Sequence, residues 1–213
     1  MERKWLSQEG LKLIACVSMV LDHIGFLYDV YWLRILGRLA FPIYCFLLVE
    51  GTRHTHNPKG YALRLAVFAL ISEIPFDYMV FGRLDFFGQN VMFTLLLGFG
   101  MLMLMRKLTD PVLRMFVVAA CAGIAQLLLL DYGAMGILMI SVFAVTELWW
   151  LRGLLLLVLG VLHGSGIQVY MVLALIPILL YSGKKQIQSS FVQRFFYLVY
   201  PVHMIILAIL RGV

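Results

Sequence analysis

Asp22 and His23 stand side by side inside an apolar stretch, residues 11–28, that has the composition of a membrane-spanning helix. A histidine exchanges a proton near neutral pH, and a carboxylate can pair with a cation or orient a neighbour. An ionisable group at the bilayer centre costs about 2.5–3.5 kcal/mol on insertion scales, so both must avoid lipid. Adjacent helical residues point about 100° apart. We therefore expect His23 to face a cavity and Asp22 to face an arginine or a neighbouring helix.

Two further pairs of charged residues interrupt apolar stretches. Arg34 and Arg38 are four residues apart and share a helix face, as do Glu73 and Asp77. Counting 1.5 Å per residue places these pairs and His23 in the outer half of the membrane. We expect buried ion pairs between these arginines and carboxylates, either fixing helix packing or shaping a site.

The last apolar stretch, residues 192–211, contains a second histidine near mid-membrane. His203 follows Tyr200 closely, and Tyr197 lies one turn before that residue. Contact with a proton or ligand and burial as a satisfied core histidine both fit His203. Asn90 opens another apolar stretch at the outer boundary.

The composition indicates one membrane domain over residues 1–213. Of these residues, 63% are hydrophobic and 13% are charged, whereas soluble chains carry about 25% charged residues. The net charge of +6 fits lysines and arginines in cytoplasmic loops, and we expect no nucleic-acid partner. The three cysteines lie unpaired within apolar stretches, so neither a disulfide nor a metal framework is expected.

The sequence predicts an all-α, polytopic membrane protein in the cell (cytoplasmic) membrane. Up to nine spans are predicted: 11–28, 34–52, 61–80, 90–105, 111–130, 133–147, 149–163, 167–182 and 192–211. The sixth and seventh are short for a crossing, which gives a range of seven to nine. With the N-terminus cytoplasmic and the C-terminus outside, only four of the 17 Lys and Arg residues lie outside: Arg34, Arg38, Arg83 and Arg211. This orientation obeys the positive-inside rule.

Basic residues follow two of the predicted spans on the inner side. Arg53 follows the second span and Lys184 the eighth. Such residues mainly set topology, but they could also receive a phosphate-bearing cofactor. His54 and His56 have no third ligand nearby, so a metal site is not expected.

Six segments spread over nearly the whole chain carry a family resemblance. They are SQEGLKLIACVSMVLDHIGFLY at 7–28, GRLAFPIYCFLLVEG at 37–51, RL at 64–65, SEIPFD at 72–77, DYG at 131–133 and FFYLVYPVHMIILAIL at 195–210. Together they are similar to the TraX family of membrane proteins, whose namesake is associated with N-terminal acetylation of conjugative pilin. That family in turn resembles a superfamily of membrane acyltransferases that acetylate sugars and envelope polymers.

The resemblance implies an acyltransferase with cytoplasmic acetyl-CoA as acyl donor. The acceptor would be a pilin or peptide N-terminus or an envelope sugar, arriving from outside. In the superfamily a histidine at the end of the first span is catalytic; it corresponds to His23, which would be the general base. Asp22 would orient the imidazole or its helix, and Arg38 or Asn90 would stabilise the oxyanion. The superfamily's paired-arginine motif has its nearest fit in Arg34 and Arg38.

Two sets of candidate site residues follow. The catalytic candidates are His23, Asp22, Arg38, Glu73, Asp77, Asn90 and His203. The candidates for contact with the acyl donor are Arg34, Arg53, Tyr197, Tyr200 and Lys184.

Two other classes of protein fit the same residues. One is a small-solute or proton-coupled transporter, and the other is a non-catalytic assembly factor for pili or envelope complexes. The halves of the chain show no repeat symmetry, and the charges gather toward one side of the membrane, which favours an enzyme over a transporter. The lipid bilayer and the acyl acceptor are the expected partners, and the oligomeric state stays open.

Overall fold

The computed structural model describes residues 4–187 and 189–212, apart from the side chains of residues 190–194. Arg3 and the side chain of Arg194, both counted on the inner side, lie outside the described part. In that part the chain is helical and no strand forms. The helices are α1 (Gln8–Leu27), α2 (Tyr31–Gly37), α3 (Ala40–His54), α4 (Pro58–Phe81), α5 (Val91–Met105), α6 (Pro111–Leu127), α7 (Gly133–Val145), α8 (Trp149–Leu162), a 3₁₀ helix (Gly166–Ala174), α9 (Leu175–Leu179) and α10 (Ser190–Arg211).

The predicted all-α class is confirmed, but two predicted spans are not continuous α-helices. The span 34–52 is broken, because α2 ends at Gly37 and α3 begins at Ala40. The first half of the span 167–182 is 3₁₀ helix, and α9, which follows it, has only 5 residues. Hydropathy reports an apolar environment and carries no information on which carbonyl each N–H reaches, so it missed both departures.

Two stretches, Gln8–Leu27 and Tyr31–His54, are long and apolar enough to cross a membrane by length and composition. The helices α7 and α8 have 13 and 14 residues, which is about 20 Å of helix each against a hydrocarbon core of about 30 Å. They are as short as the sequence predicted. The count of seven to nine spans stays a prediction.

Helix α4 is apolar on its outer surface as well as on its inner one. Leu63, Leu70 and Ile74 are exposed by 66%, 67% and 59%, whereas Ala69 and Met79 are fully buried. A soluble protein rarely exposes a continuous apolar surface along a helix. The exposed face therefore suggests association with a membrane.

The chain groups into two compact units. The first unit is Met1–Leu47 with Thr146–His203, and the second is Leu48–Val145 with Met204–Val213. A single domain over residues 1–213 stays a prediction.

In the first unit, α1 packs against α2, and the 3₁₀ helix packs against α2 and α8. Gly160 permits the contact between α8 and the 3₁₀ helix, since a Cβ at this position would lie 2.9 Å from the Cα of Val169. A parallel bridge joins the start of the chain to the end of α9: Leu6 N–H donates to the Leu180 carbonyl at 3.0 Å. The Ser182 N–H donates to the Leu6 carbonyl at 2.8 Å. These contacts hold α1 at its start.

In the second unit, α4 packs against α5, and α5 packs against α6 and α7. The side chains of Ile137, Ile140 and Phe143 on α7 are fully buried there. The backbone of Gln89 bridges the turn before α7, accepting from the Asp131 N–H at 2.8 Å. This bridge fixes the residue that precedes Asn90.

Candidate functional site

His23 and His203 form a hydrogen-bonded pair in the first unit. Nδ1 of His23 on α1 lies 2.7 Å from Nε2 of His203 on α10. The ring planes differ by only 13° and the centroids are 5.0 Å apart. Because two ring nitrogens are this close to each other and the rings are nearly parallel, the rings meet edge to edge in one plane. This is the geometry of a hydrogen bond between two imidazoles. The two histidines therefore act together as a hydrogen-bonded pair.

The protons of this pair follow from its neighbours. Nδ1 of His203 lies 2.7 Å from the carbonyl oxygen of Val199, and since a carbonyl only accepts, Nδ1 carries the hydrogen. In neutral His203 the other nitrogen, Nε2, is then an acceptor, so Nδ1 of His23 donates to it. In a neutral His23 the remaining nitrogen, Nε2, has a free lone pair. This chain of hydrogen bonds, the relay from the Val199 carbonyl through His203 to His23, thus leaves a proton acceptor at the Nε2 atom of His23.

The Nε2 atom of His23 is also reachable. His23 is half-buried, while His203 is buried with 7% exposure. Among the residues that the structure describes, Nε2 of His23 has no hydrogen-bond partner, and it is not one of the fully buried unpaired polar atoms. The geometry therefore suits His23 as the exchanging ring and His203 as the ring that orients it.

Asp22 forms ion pairs with two arginines, whereas the sequence predicted one arginine or a neighbouring helix as its partner. Its Oδ1 contacts Nη2 of Arg38 and lies 3.5 Å from Nε of Arg34. The Arg38 side chain is buried, and the Arg34 guanidinium also lies 5.2 Å from the centre of the Phe26 ring. Asp22 takes the place that the sequence analysis assigned to Glu73 and Asp77 as a partner of the arginines.

The ion pair needs α1 and α2 to approach closely, and Gly37 permits this. A Cβ on Gly37 would collide with the side chain and Cα of Asp22. Asp22 makes no hydrogen bond to His23 within the described residues, so it orients the helices rather than the imidazole ring. The sequence did not single out Gly37, although it stands directly before Arg38 and opens the segment 37–51.

In the second unit, Glu73 and Asn90 lock α4 to the start of α5. Oε2 of Glu73 accepts from the Asn90 backbone N–H at 3.2 Å and from the Asn90 side-chain amide. The same amide donates to the Ala69 carbonyl at 2.8 Å, and its oxygen caps α5 by accepting from Met92 N–H. Both amide hydrogens of Asn90 are used, so it has none to spare for an oxyanion.

Asp77 holds the loop that follows α4. Its Oδ2 accepts from the Asp85 N–H at 3.1 Å, and the residue is buried with 4% exposure. Within the described part of the second unit, the other oxygens, Oε1 of Glu73 and Oδ1 of Asp77, are buried without a hydrogen-bond partner. These carboxyl groups are held by backbone amides and an amide side chain rather than by arginines.

The candidates for contact with the acyl donor are divided between the units. In the first unit Tyr200 is buried and its ring lies 5.7 Å from that of His203, while Tyr197 is half-buried. Lys184 has an exposed side chain in the same unit. Arg53, in the second unit, is exposed, and its Nη1 is 3.5 Å from Oε1 of Glu50. No group of three or more His, Cys, Asp or Glu residues in the described chain has metal-binding geometry.

These features define a class: an all-helical, strongly apolar protein with a histidine pair and a buried arginine–aspartate cluster. Residues 7–211 match the family model for TraX protein, and the chain belongs to the TraX family.

Two curated relatives are similar in sequence. The chain is 34% identical over 229 aligned residues to a probable fimbrial assembly protein FimC, serogroup H1, of Dichelobacter nodosus, covering 92% of each chain. It is 32% identical over 93 residues to the uncharacterized protein RP591 of Rickettsia prowazekii (strain Madrid E), covering 43% of this chain and 34% of that protein. No solved structure matches. Family membership and the first relative together fit a pilus-related role.

Proposed function

We propose that this chain is a membrane-embedded acetyltransferase that moves an acetyl group from cytoplasmic acetyl-CoA to an extracytoplasmic amine or hydroxyl. The proposed topology is polytopic, with the N-terminus cytoplasmic and the C-terminus outside. The observation that carries the proposal is the relay from the Val199 carbonyl through His203 to His23, which leaves Nε2 of His23 able to accept a proton. The fimbrial assembly relative supports an acceptor that belongs to a pilus.

In the proposed reaction, the amine nitrogen or hydroxyl oxygen of the acceptor attacks the thioester carbonyl. At the same time Nε2 of His23 removes the proton from that nitrogen or oxygen. A new C–N or C–O bond forms, the C–S bond breaks, and the proton passes to the departing thiolate, so coenzyme A leaves as the thiol. His203 keeps the ring of His23 in place and accepts from the Nδ1–H of the imidazolium that forms.

Arg38 is the candidate for stabilising the oxyanion, because the amide hydrogens of Asn90 are already used. The contact between Arg38 and Asp22, the residue before His23, holds Arg38 beside α1, the helix that carries His23. Burial strengthens the interaction between the Arg38 guanidinium and a developing negative charge, because little water competes for the guanidinium.

The test uses purified full-length protein, radiolabelled acetyl-CoA and envelope material from cells that lack the protein. The wild type should transfer label, with a mass increase of one acetyl group on the acceptor. His23→Gln should lower the rate by about 10²–10⁴-fold while the protein stays folded. His163→Gln is the matched control, because His163 is exposed and lies in the same unit. Absence of transfer by the wild type contradicts the enzyme, and full activity of His23→Gln contradicts the base.

The name of the fimbrial relative favours one second candidate, a non-catalytic assembly factor. In that case deletion would abolish pilus assembly, and His23→Gln would restore it as well as the wild type. Failure of His23→Gln to restore assembly, with the protein present at normal amounts, would favour the enzyme.

A further inference from the structure

Three arginines converge on one pocket in the second unit. The pocket has a volume of about 150 Å³ and lies where α3 and α5 end and α6 begins. Arg53, Arg106 and Arg114 line it, together with apolar side chains and Thr52. Of these three arginines the sequence singled out Arg53 only, because they lie far apart along the chain.

Among the described residues, those that line the pocket include no carboxylate. Glu50, outside the lining, is 3.5 Å from Arg53 and offsets one of the three positive charges. Asp110, a carboxylate one turn before Arg114, also lies outside the lining, and its Oδ1 accepts from Val112 N–H at 2.8 Å at the start of α6. The lining itself therefore carries three guanidinium groups, and an anion that enters the pocket meets positive charge there.

Two of the arginines have donors available. Nε and Nη2 of Arg114 donate to the Leu108 carbonyl at 2.9 and 2.7 Å, which holds the guanidinium in place and leaves Nη1 for a ligand. The Arg106 side chain is exposed, and it forms no hydrogen bond or ion pair with the described residues. A preordered guanidinium beside a free one is an arrangement that suits a phosphate group.

We propose that this pocket binds a terminal phosphate group. A phosphate monoester carries about 1.5–2 negative charges at neutral pH, which complements the guanidinium groups of the lining. Such a group is found on phosphorylated nucleotides, including the nucleotide half of coenzyme A, and on a lipid headgroup such as phosphatidic acid. The inference stands on the pocket and does not require acetyl transfer.

The test measures binding to the full chain in nanodiscs, with one arm for each source of phosphate. In the first arm the discs are zwitterionic, and adenosine 3′,5′-bisphosphate is titrated by calorimetry. In the second arm the discs contain phosphatidic acid, and lipid retained on the protein is measured by native mass spectrometry. Arg106→Gln is the main variant, and Lys107→Gln is its control, being adjacent, exposed and absent from the lining.

We expect the wild type to bind at least one probe and Arg106→Gln to weaken that binding by about tenfold or more. Arg114→Gln should weaken it similarly, and Lys107→Gln should stay within about twofold, with binding reduced at high salt. Binding in the first arm identifies a nucleotide phosphate, and binding in the second identifies a lipid phosphate. Binding of neither probe, or equal losses in Arg106→Gln and Lys107→Gln, overturns the proposal and leaves the arginines as partners of helix ends. Phosphate binding without acetyl transfer would count against the proposed function alone.

Discussion

Nδ1 of His23 and Nε2 of His203 are 2.7 Å apart, although 180 positions separate the two residues in the chain. This hydrogen bond joins the first predicted span to the last. It requires at least one of the two rings to be neutral, since two imidazolium rings would bring two N–H groups together. The Val199 carbonyl then decides which ring is the donor. A proton acceptor at His23 is thus a property of the pair.

His203 should act as a positioning residue. His203→Leu removes the acceptor of the His23 Nδ1–H, so kcat for acetyl transfer should fall by about tenfold to a hundredfold with KM for acetyl-CoA little changed. His203→Gln keeps an acceptor and should recover part of that loss. His163→Gln, which alters an exposed histidine of the same unit, is the control. Equal rates in the Leu and Gln variants would show that the hydrogen bond does not matter.

The Asp22–Arg38 ion pair should be strongly coupled. Asp22→Asn removes the carboxylate from the buried Arg38, and Arg38→Gln leaves Asp22 with the more distant Arg34. Because both side chains of the pair are largely buried, each change should destabilise the protein by about 3–5 kcal/mol. The double variant should lose much less than the two single losses together. Thermal unfolding of the purified protein measures this. Arg83→Gln is the control, since that side chain is 79% exposed; strictly additive losses would contradict the coupling.

Asn90 should affect stability and leave the reaction unchanged. Asn90→Ala removes the cap of α5 and the partner of Glu73, so it should destabilise the protein by about 2 kcal/mol. Acetyl transfer per folded molecule should stay within about twofold of the wild type. Asn57→Ala removes a comparable cap at the exposed start of α4 and should cost less. A large loss of rate in folded Asn90→Ala would return Asn90 to the catalytic set.

The proposed orientation predicts which side of the membrane two surface residues occupy. A membrane-impermeant maleimide should label Arg83→Cys in intact cells, because the loop after α4 lies outside. Lys107→Cys should be labelled only after the membrane is permeabilised. Both side chains are exposed, so reagent access is equal apart from the membrane. The opposite labelling pattern would invert the topology.

The helix bounds were predicted well where polar residues mark the ends of an apolar stretch. The prediction 90–105 matches α5, Val91–Met105, because Asn90 caps its start and Arg106 follows its end. The break after Gly37 and the 3₁₀ helix from Gly166 to Ala174 were not predicted. Both lie inside apolar stretches, where composition is uniform and the hydrogen-bond pattern depends on packing.

The candidate site was predicted residue by residue rather than as an arrangement. Asp22, His23 and Arg38 were all singled out because a charged or titratable group in an apolar stretch is costly. The pairing of Asp22 with an arginine was expected, but the hydrogen bonding of His23 with His203 was not. The close approach at Gly37 also could not be seen, because it depends on where α1 and α2 meet.

By itself the sequence determined the helical class, the apolar surfaces and the identity of the costly polar residues, since these follow from composition and from helix geometry over a few turns. Tertiary structure alone decided the partners: His23 with His203, Asp22 with Arg38, and three arginines around one pocket. The physical reason is range. Hydropathy and helical periodicity are local properties of the chain, whereas a hydrogen bond or ion pair between distant residues depends on how the helices pack.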